Sequence, residues 1–80
     1  MFKVYILKSQ TQEKYYVGHC ADMETRLSRH NNGFVKSTKA FKPWVVVYLE
    51  EFNSKNEAYK RELKIKSYKG GNAFKKLVNK

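Results

Sequence analysis

Two short apolar runs, Val4-Tyr5-Ile6-Leu7 and Tyr15-Tyr16-Val17-Gly18, flank a polar stretch from Lys8 to Lys14 at the start of the chain. Each run is rich in β-branched and aromatic residues, and the stretch between them carries no helical period. The pattern predicts two antiparallel strands joined by a loop. A loop centred on Gln10 and Thr11 sets Tyr5 opposite Tyr16 and Lys3 opposite Gly18, and directly opposed residues share a face. The other face then carries Phe2, Val4, Ile6, Tyr15 and Val17, which is almost wholly apolar. One face is predicted to be core. The other presents two tyrosines, a lysine and a glycine.

Asp22 is a candidate N-cap for a helix over Met23 to Asn31, with Gly33 as its stop. Met23, Leu27 and His30 share one face of that helix and Arg26 borders it. A glycine at the strand end, Gly18, admits close approach of a following element, so this face is expected to lie over the tyrosine face of the hairpin. Phe34 to Lys42 reads as a lysine-rich loop closed by Pro43. The run Trp44-Val45-Val46-Val47-Tyr48-Leu49 reads as a third strand, long enough to be buried on both faces. Ser54-Lys55-Asn56-Glu57 is a capping box opening a helix to about Ser67. Its apolar arc holds Ala58, Tyr59, Leu63 and Ile65, with Lys60, Arg61 and Lys64 opposite. Lys69-Gly70-Gly71 breaks it. Asn72 is a candidate cap for a last short helix that packs Ala73, Phe74, Leu77 and Val78 inward and leaves Lys75, Lys76 and Lys80 in solvent. The expectation is one α+β domain over residues 1–80, a three-stranded antiparallel sheet flanked by helices, in the order β-β-α-β-α-α.

Charge narrows the partner. Lys and Arg total 17 against 7 acids in 80 residues, a net charge of +10. So large a surplus on a small domain points to a polyanion, nucleic acid first. A single cysteine, Cys20, forbids an internal disulfide and fits a reducing compartment. The longest apolar run is too short to span a bilayer, and no signal peptide opens the chain. Cytoplasm is the default expectation, with no membrane partner.

Glu62 falls near the middle of the apolar arc of its helix and is the only acid between Ala58 and Lys80. A carboxylate aimed at a core is costly unless it is paired or bound to metal. Lys66, one turn on, is a pairing partner that would make Glu62 merely structural. His19, Cys20 and His30 lack the fourth ligand of a zinc site. Trp44 and Phe34 offer ring faces for bases, with core and loop packing as the plainer use.

Tyr5, Tyr16, Gly18, Arg26, His30 and Glu62, in that order, resemble the GIY-YIG nuclease superfamily, and its small stand-alone bacterial members most. Lys3-Val4-Tyr5 stands at the first motif and Tyr16-Val17-Gly18 at the second. Arg26 and His30 follow on the first helix, and Glu62 stands at the metal-binding glutamate. The likeness runs from Phe2 to about Lys76. Lys3 replaces the first glycine, and His19 occupies a position that is often lysine in the DNA-repair members. The late asparagine has no match of fixed spacing, though Asn72 lies nearby.

The resemblance implies hydrolysis of a phosphodiester with one divalent metal. Glu62 would hold Mg²⁺ (or Mn²⁺), which accepts a single protein ligand because it keeps much of its water. Arg26 would bind the phosphate. Tyr16 would activate the water, Tyr5 would orient water or phosphate, and His30 would relay a proton or orient Tyr5. A tyrosine hydroxyl is a poor base at neutral pH, and nearby cations such as the metal, Arg26 and Lys3 favour its ionised form. Lys3 and His19 at the site, Lys36, Lys39 and Lys42 in the loop, and Lys69, Lys75 and Lys76 in the tail are expected backbone contacts for nucleic acid, DNA ahead of RNA. Such contacts position without reading sequence, so selection by structure is expected, from a monomer or weak homodimer. The competing expectations are a catalytically weak or inactive binding module, and a subunit of a larger nucleic-acid-processing complex.

Overall fold

The computed structural model describes residues 1–79. Strands β1 (Phe2–Ser9), β2 (Tyr15–Cys20) and β3 (Trp44–Phe52) form one antiparallel sheet in the order β2-β1-β3. Helix α1 (Met23–Asn31) follows the hairpin, and α2 (Lys55–Ser67) and α3 (Asn72–Val78) follow β3. This is the expected α+β architecture. No helix among the described residues is long and apolar enough to cross a membrane. Lys80, expected in solvent, lies outside the described residues.

β1 is the central strand. Val4, Tyr5, Ile6 and Leu7 are all fully buried. Val4 and Ile6 pack with Ala58, Ile65 and Phe74 on one side. Tyr5 and Leu7 pack with Cys20, Trp44, Met23 and Leu27 on the other. Each such apolar burial stabilises the fold by about 1.5–3 kcal/mol. The strand buried on both faces is therefore β1 and not Trp44–Leu49. β3 lies at an edge, with Val45 and Leu49 exposed. Its register on β1 shifts between Ile6 and Leu7, which face Tyr48 and Val46 and leave Val47 as the extra residue of a bulge.

The hairpin register differs by two residues from the expected one. Tyr5 pairs with Gly18, Leu7 with Tyr16 and Lys3 with Cys20. Ser9 sets this register. Its backbone N–H donates to Lys14 O at 2.9 Å, and its hydroxyl oxygen accepts from the N–H groups of Thr11 and Gln12, both at 3.2 Å. A slip of two residues keeps every side chain on its face, so Tyr5 and Tyr16 still share one. The Tyr5 ring lies over Gly18, where a Cβ would meet the Tyr5 hydroxyl at 2.6 Å.

Local signals place the helices well. Asp22 caps α1 by accepting from Thr25 N at 3.2 Å, and this bond holds its carboxyl below the usual range. Gly33 takes φ +78° beyond the last turn. Ser54 caps α2, its hydroxyl accepting from Glu57 N at 3.2 Å and donating to Glu57 Oε1 at 3.3 Å. The packed stripe of α2 is Ala58, Glu62 and Ile65, whereas Tyr59 and Leu63 are exposed. The helix is rotated so that spacing of four and three meets the sheet, and Arg61 turns in to bond Glu50 at 2.9 Å instead of facing solvent. Gly71, not Asn72, is the N-cap of α3, where Phe74 is buried and Ala73 exposed.

Candidate active site

The first half of the site is built on β1, β2 and α1. Tyr5 sends its hydroxyl to His30 Nε2 at 3.2 Å, and His30 Nδ1 meets Thr38 Oγ1 at 2.7 Å. The Thr38 hydroxyl donates to Val35 O. Its oxygen therefore accepts from Nδ1–H, which leaves Nε2 to accept from Tyr5. The imidazole is neutral in this arrangement. Burial, then the charges of Arg26 and Arg29, hold its pKa below the usual range. Burial and the neighbouring Tyr16 push the Tyr5 pKa well up, against the opposing charge of Arg26. Tyr16 is half-buried, and its ring lies 4.9 Å from that of His30. Tyr5, Tyr16, Arg26 and His30 are thus brought together.

The second half lies on the opposite face of β2. Gly18 and His19 are consecutive in the strand, so their faces differ. His19 Nδ1 contacts Glu62 Oε1 at 2.5 Å, and Lys66 Nζ contacts Oε2 at 2.6 Å. Burial raises the Glu62 pKa, but the hydrogen bonds from Lys66 and His19 outweigh it and hold the carboxyl below its ordinary value. It is a carboxylate at neutral pH. His19, expected to touch nucleic acid, is half-buried against this carboxylate and lines a cleft with Arg26.

The two halves meet around the free edge of β2. A cleft of about 390 Å³ lined by His19, Cys20, Arg26 and Lys55 opens at the end of the strand. A second, lined by Tyr15, Tyr16, Lys66 and Phe74, opens near its start. Lys3 pairs with Glu51 at 3.6 Å. Lys36, Lys39, Lys42, Lys69, Lys75 and Lys76 are exposed and form no ion pair among the described residues. Lys69 lines a cleft that also holds Tyr16. Trp44 is core, with its indole N–H on Thr38 O, while Phe34 is exposed. Thr38 and Lys55 went unforeseen. Thr38 sits in an irregular loop with no periodic signal, and Lys55 resembles any lysine of a first helical turn.

Among the described residues no group of three or more His, Cys, Asp or Glu gathers to hold a metal. The Glu62 carboxylate is the donor that can be tested for fit to a divalent ion. The donor fits. It is an anionic oxygen in a packed setting, and the cation on Oε2 is the ammonium of Lys66, whose side chain is 49% exposed. A hard ion that keeps most of its water needs no more.

The sequence matches the model of the GIY-YIG catalytic domain over residues 1–75, and the chain belongs to the GIY-YIG family. This family is generally one of nucleases using divalent metals. The UPF0213 protein of Staphylococcus saprophyticus is 42% identical over 66 residues, covering 81% of this chain and 79% of that protein. A UPF0213 protein of Staphylococcus aureus is 41% identical over the same length and shares. The solution structure of a UPF0213 protein from Bacillus halodurans is 30% identical and covers 91% of this chain and 90% of its own, with a TM-score of 0.48.

Proposed function

We propose that this domain is a divalent-metal-dependent endonuclease that hydrolyses phosphodiester bonds in DNA, selecting structure over sequence. The observation that carries this reading is Glu62, a buried carboxylate kept ionised at the β2 edge by a histidine and an exchangeable lysine. A carboxylate so placed adds little to stability, because its desolvation offsets its pairing. A catalytic use accounts for it.

Glu62 would hold Mg²⁺ or Mn²⁺. The chemistry such an ion supplies is charge neutralisation on the phosphate and stabilisation of the leaving oxygen. His19 fixes the carboxylate through its contact with Oε1. Arg26, at the mouth of the cleft it shares with His19, binds the phosphate and stabilises charge in the transition state. Tyr16, once ionised, takes the proton of the attacking water as that water's oxygen bonds to phosphorus and the bond to the leaving oxygen breaks, and the leaving oxygen takes a proton from solvent. Tyr5 stays protonated, because it is buried and donates to His30. His30, buried and neutral at neutral pH, orients Tyr5. The free lysines of the loop and tail hold the backbone without reading bases.

The test is cleavage of labelled single-stranded, duplex and branched DNA, with an RNA control, in Mg²⁺, Mn²⁺ or chelator, by wild type and Glu62→Ala from parallel preparations. Metal-dependent products absent from the variant support the reading. Salt-sensitive binding without cutting by either protein supports a binding module instead. Equal cutting by both contradicts the assignment.

A further inference from the structure

We propose that the cleft between the start of β2 and the α2–α3 turn is a subsite for one unpaired nucleobase of the nucleic-acid substrate. This rests on the nuclease reading and names the feature of the substrate that the site selects. The cleft is about 380 Å³, and Tyr15, Val17, Ile65 and Phe74 give it apolar walls. That volume is within the range of small-molecule sites. Tyr15 and Phe74 meet edge to face, with centroids 5.2 Å apart and planes at 80°. In such a pair the ring that offers its edge does not have its faces covered by the other. Tyr15 keeps more than a third of its surface in solvent, so aromatic surface is open to a planar ligand.

The rim is cationic. Lys66 and Lys69 line the cleft and no acid does. At Gly70 the space a side chain would fill is open. Apolar walls beside two lysines, one of them paired with Glu62, complement a base between phosphates. The cleft also shares Tyr16 and Lys66 with the candidate active site, and Lys66 is the residue on Glu62. A nucleotide seated with its phosphate at that site can place its base here only by leaving the duplex stack. A single strand, flap or loop has already met that cost. Selection by structure then follows from stacking, which tolerates any base.

The experiment uses chelator to prevent cutting and two probes of equal length, a single strand and a duplex, each carrying 2-aminopurine. The single-stranded probe is expected to lose fluorescence on binding wild type and Tyr15→Phe, and to keep it with Tyr15→Leu. Tyr15→Leu should bind the single strand about tenfold more weakly, the loss of one base stack, with duplex affinity unchanged. A single strand with an abasic nucleotide should lose about as much on wild-type protein, so the test stands even if the variant folds poorly. Equal affinity for abasic and intact strands, or equal loss on single strand and duplex, overturns the subsite and leaves the nuclease reading intact. Failure of wild type to bind either probe overturns both.

Discussion

Two carboxylates on one face of the sheet each carry a cation, and they are built in opposite ways. Glu50 of β3 is 35% exposed in its side chain and meets the more buried Arg61, whose Nε donates at 2.9 Å. Tyr48 donates to the same carboxylate oxygen at 2.8 Å, and the hydroxyl of Tyr68 lies 3.4 Å from Arg61 Nη1. Glu62 of α2 is 10% exposed and carries the 49% exposed Lys66. A planar guanidinium fixed among several oxygens is scaffold. An ammonium on a long flexible stem over a buried acid is a counter-ion that can leave. The two pairs thus differ in which partner is buried, the cation Arg61 in one and the acid Glu62 in the other.

Outside Glu62 itself, the largest effect is expected where neither acid is touched. Gly18→Ala drives a methyl group to 2.6 Å from the Tyr5 hydroxyl. Because Tyr5 is pinned by His30, the displacement should slow cleavage on the order of 100-fold and destabilise by about 1–3 kcal/mol, read by single-turnover rates and urea melts. If the rate survives, the Tyr5 half of the site is dispensable. Next come paired changes to methionine. Changing Glu62 and Lys66 together to methionine should be neutral or stabilising by about 1 kcal/mol, since apolar side chains replace a desolvated ion pair. Arg61→Met should lose about 0.5–1 kcal/mol. A reversed order in urea melts would break the contrast between site and scaffold.

The smallest effect is a pH slope. His30 has its folded pKa depressed by burial, so below about pH 6.5 the unfolded chain binds a proton that the folded one refuses. Stability should be level above neutrality and fall as pH drops from about 6.5 toward the folded value. His30→Gln should flatten that slope between these limits, measured by urea midpoints across the range.

Where a rule is local, the sequence announced the structure. Asp22, the Ser54 cap and Gly33 act on backbone groups a few residues away, and each stands where expected. The β-prone runs became strands. Their order across the sheet was not legible, because a run such as Val45–Leu49 has the composition of a central strand whether it gains one neighbour or two. The α2 arc was wide enough to admit Tyr59 and Leu63, and only the packing against Val4 and Ile6 selected Ala58 and Ile65. Tyr5, Tyr16, Arg26 and His30 converge because hairpin and helix faces obey fixed periods. The pairing of His19 with Glu62 spans 43 residues and two elements, and no local rule reaches that far.

The central claim is that Glu62 carries chemistry while Glu50 carries structure. Its most direct test is single-turnover cleavage of one labelled DNA flap by wild type, Glu62→Gln and Glu50→Gln at saturating Mn²⁺, with rates referred to folded protein. The account predicts a loss of at least about 100-fold for Glu62→Gln and an unchanged rate for Glu50→Gln. Equal rates for the two variants, high or low, would contradict it.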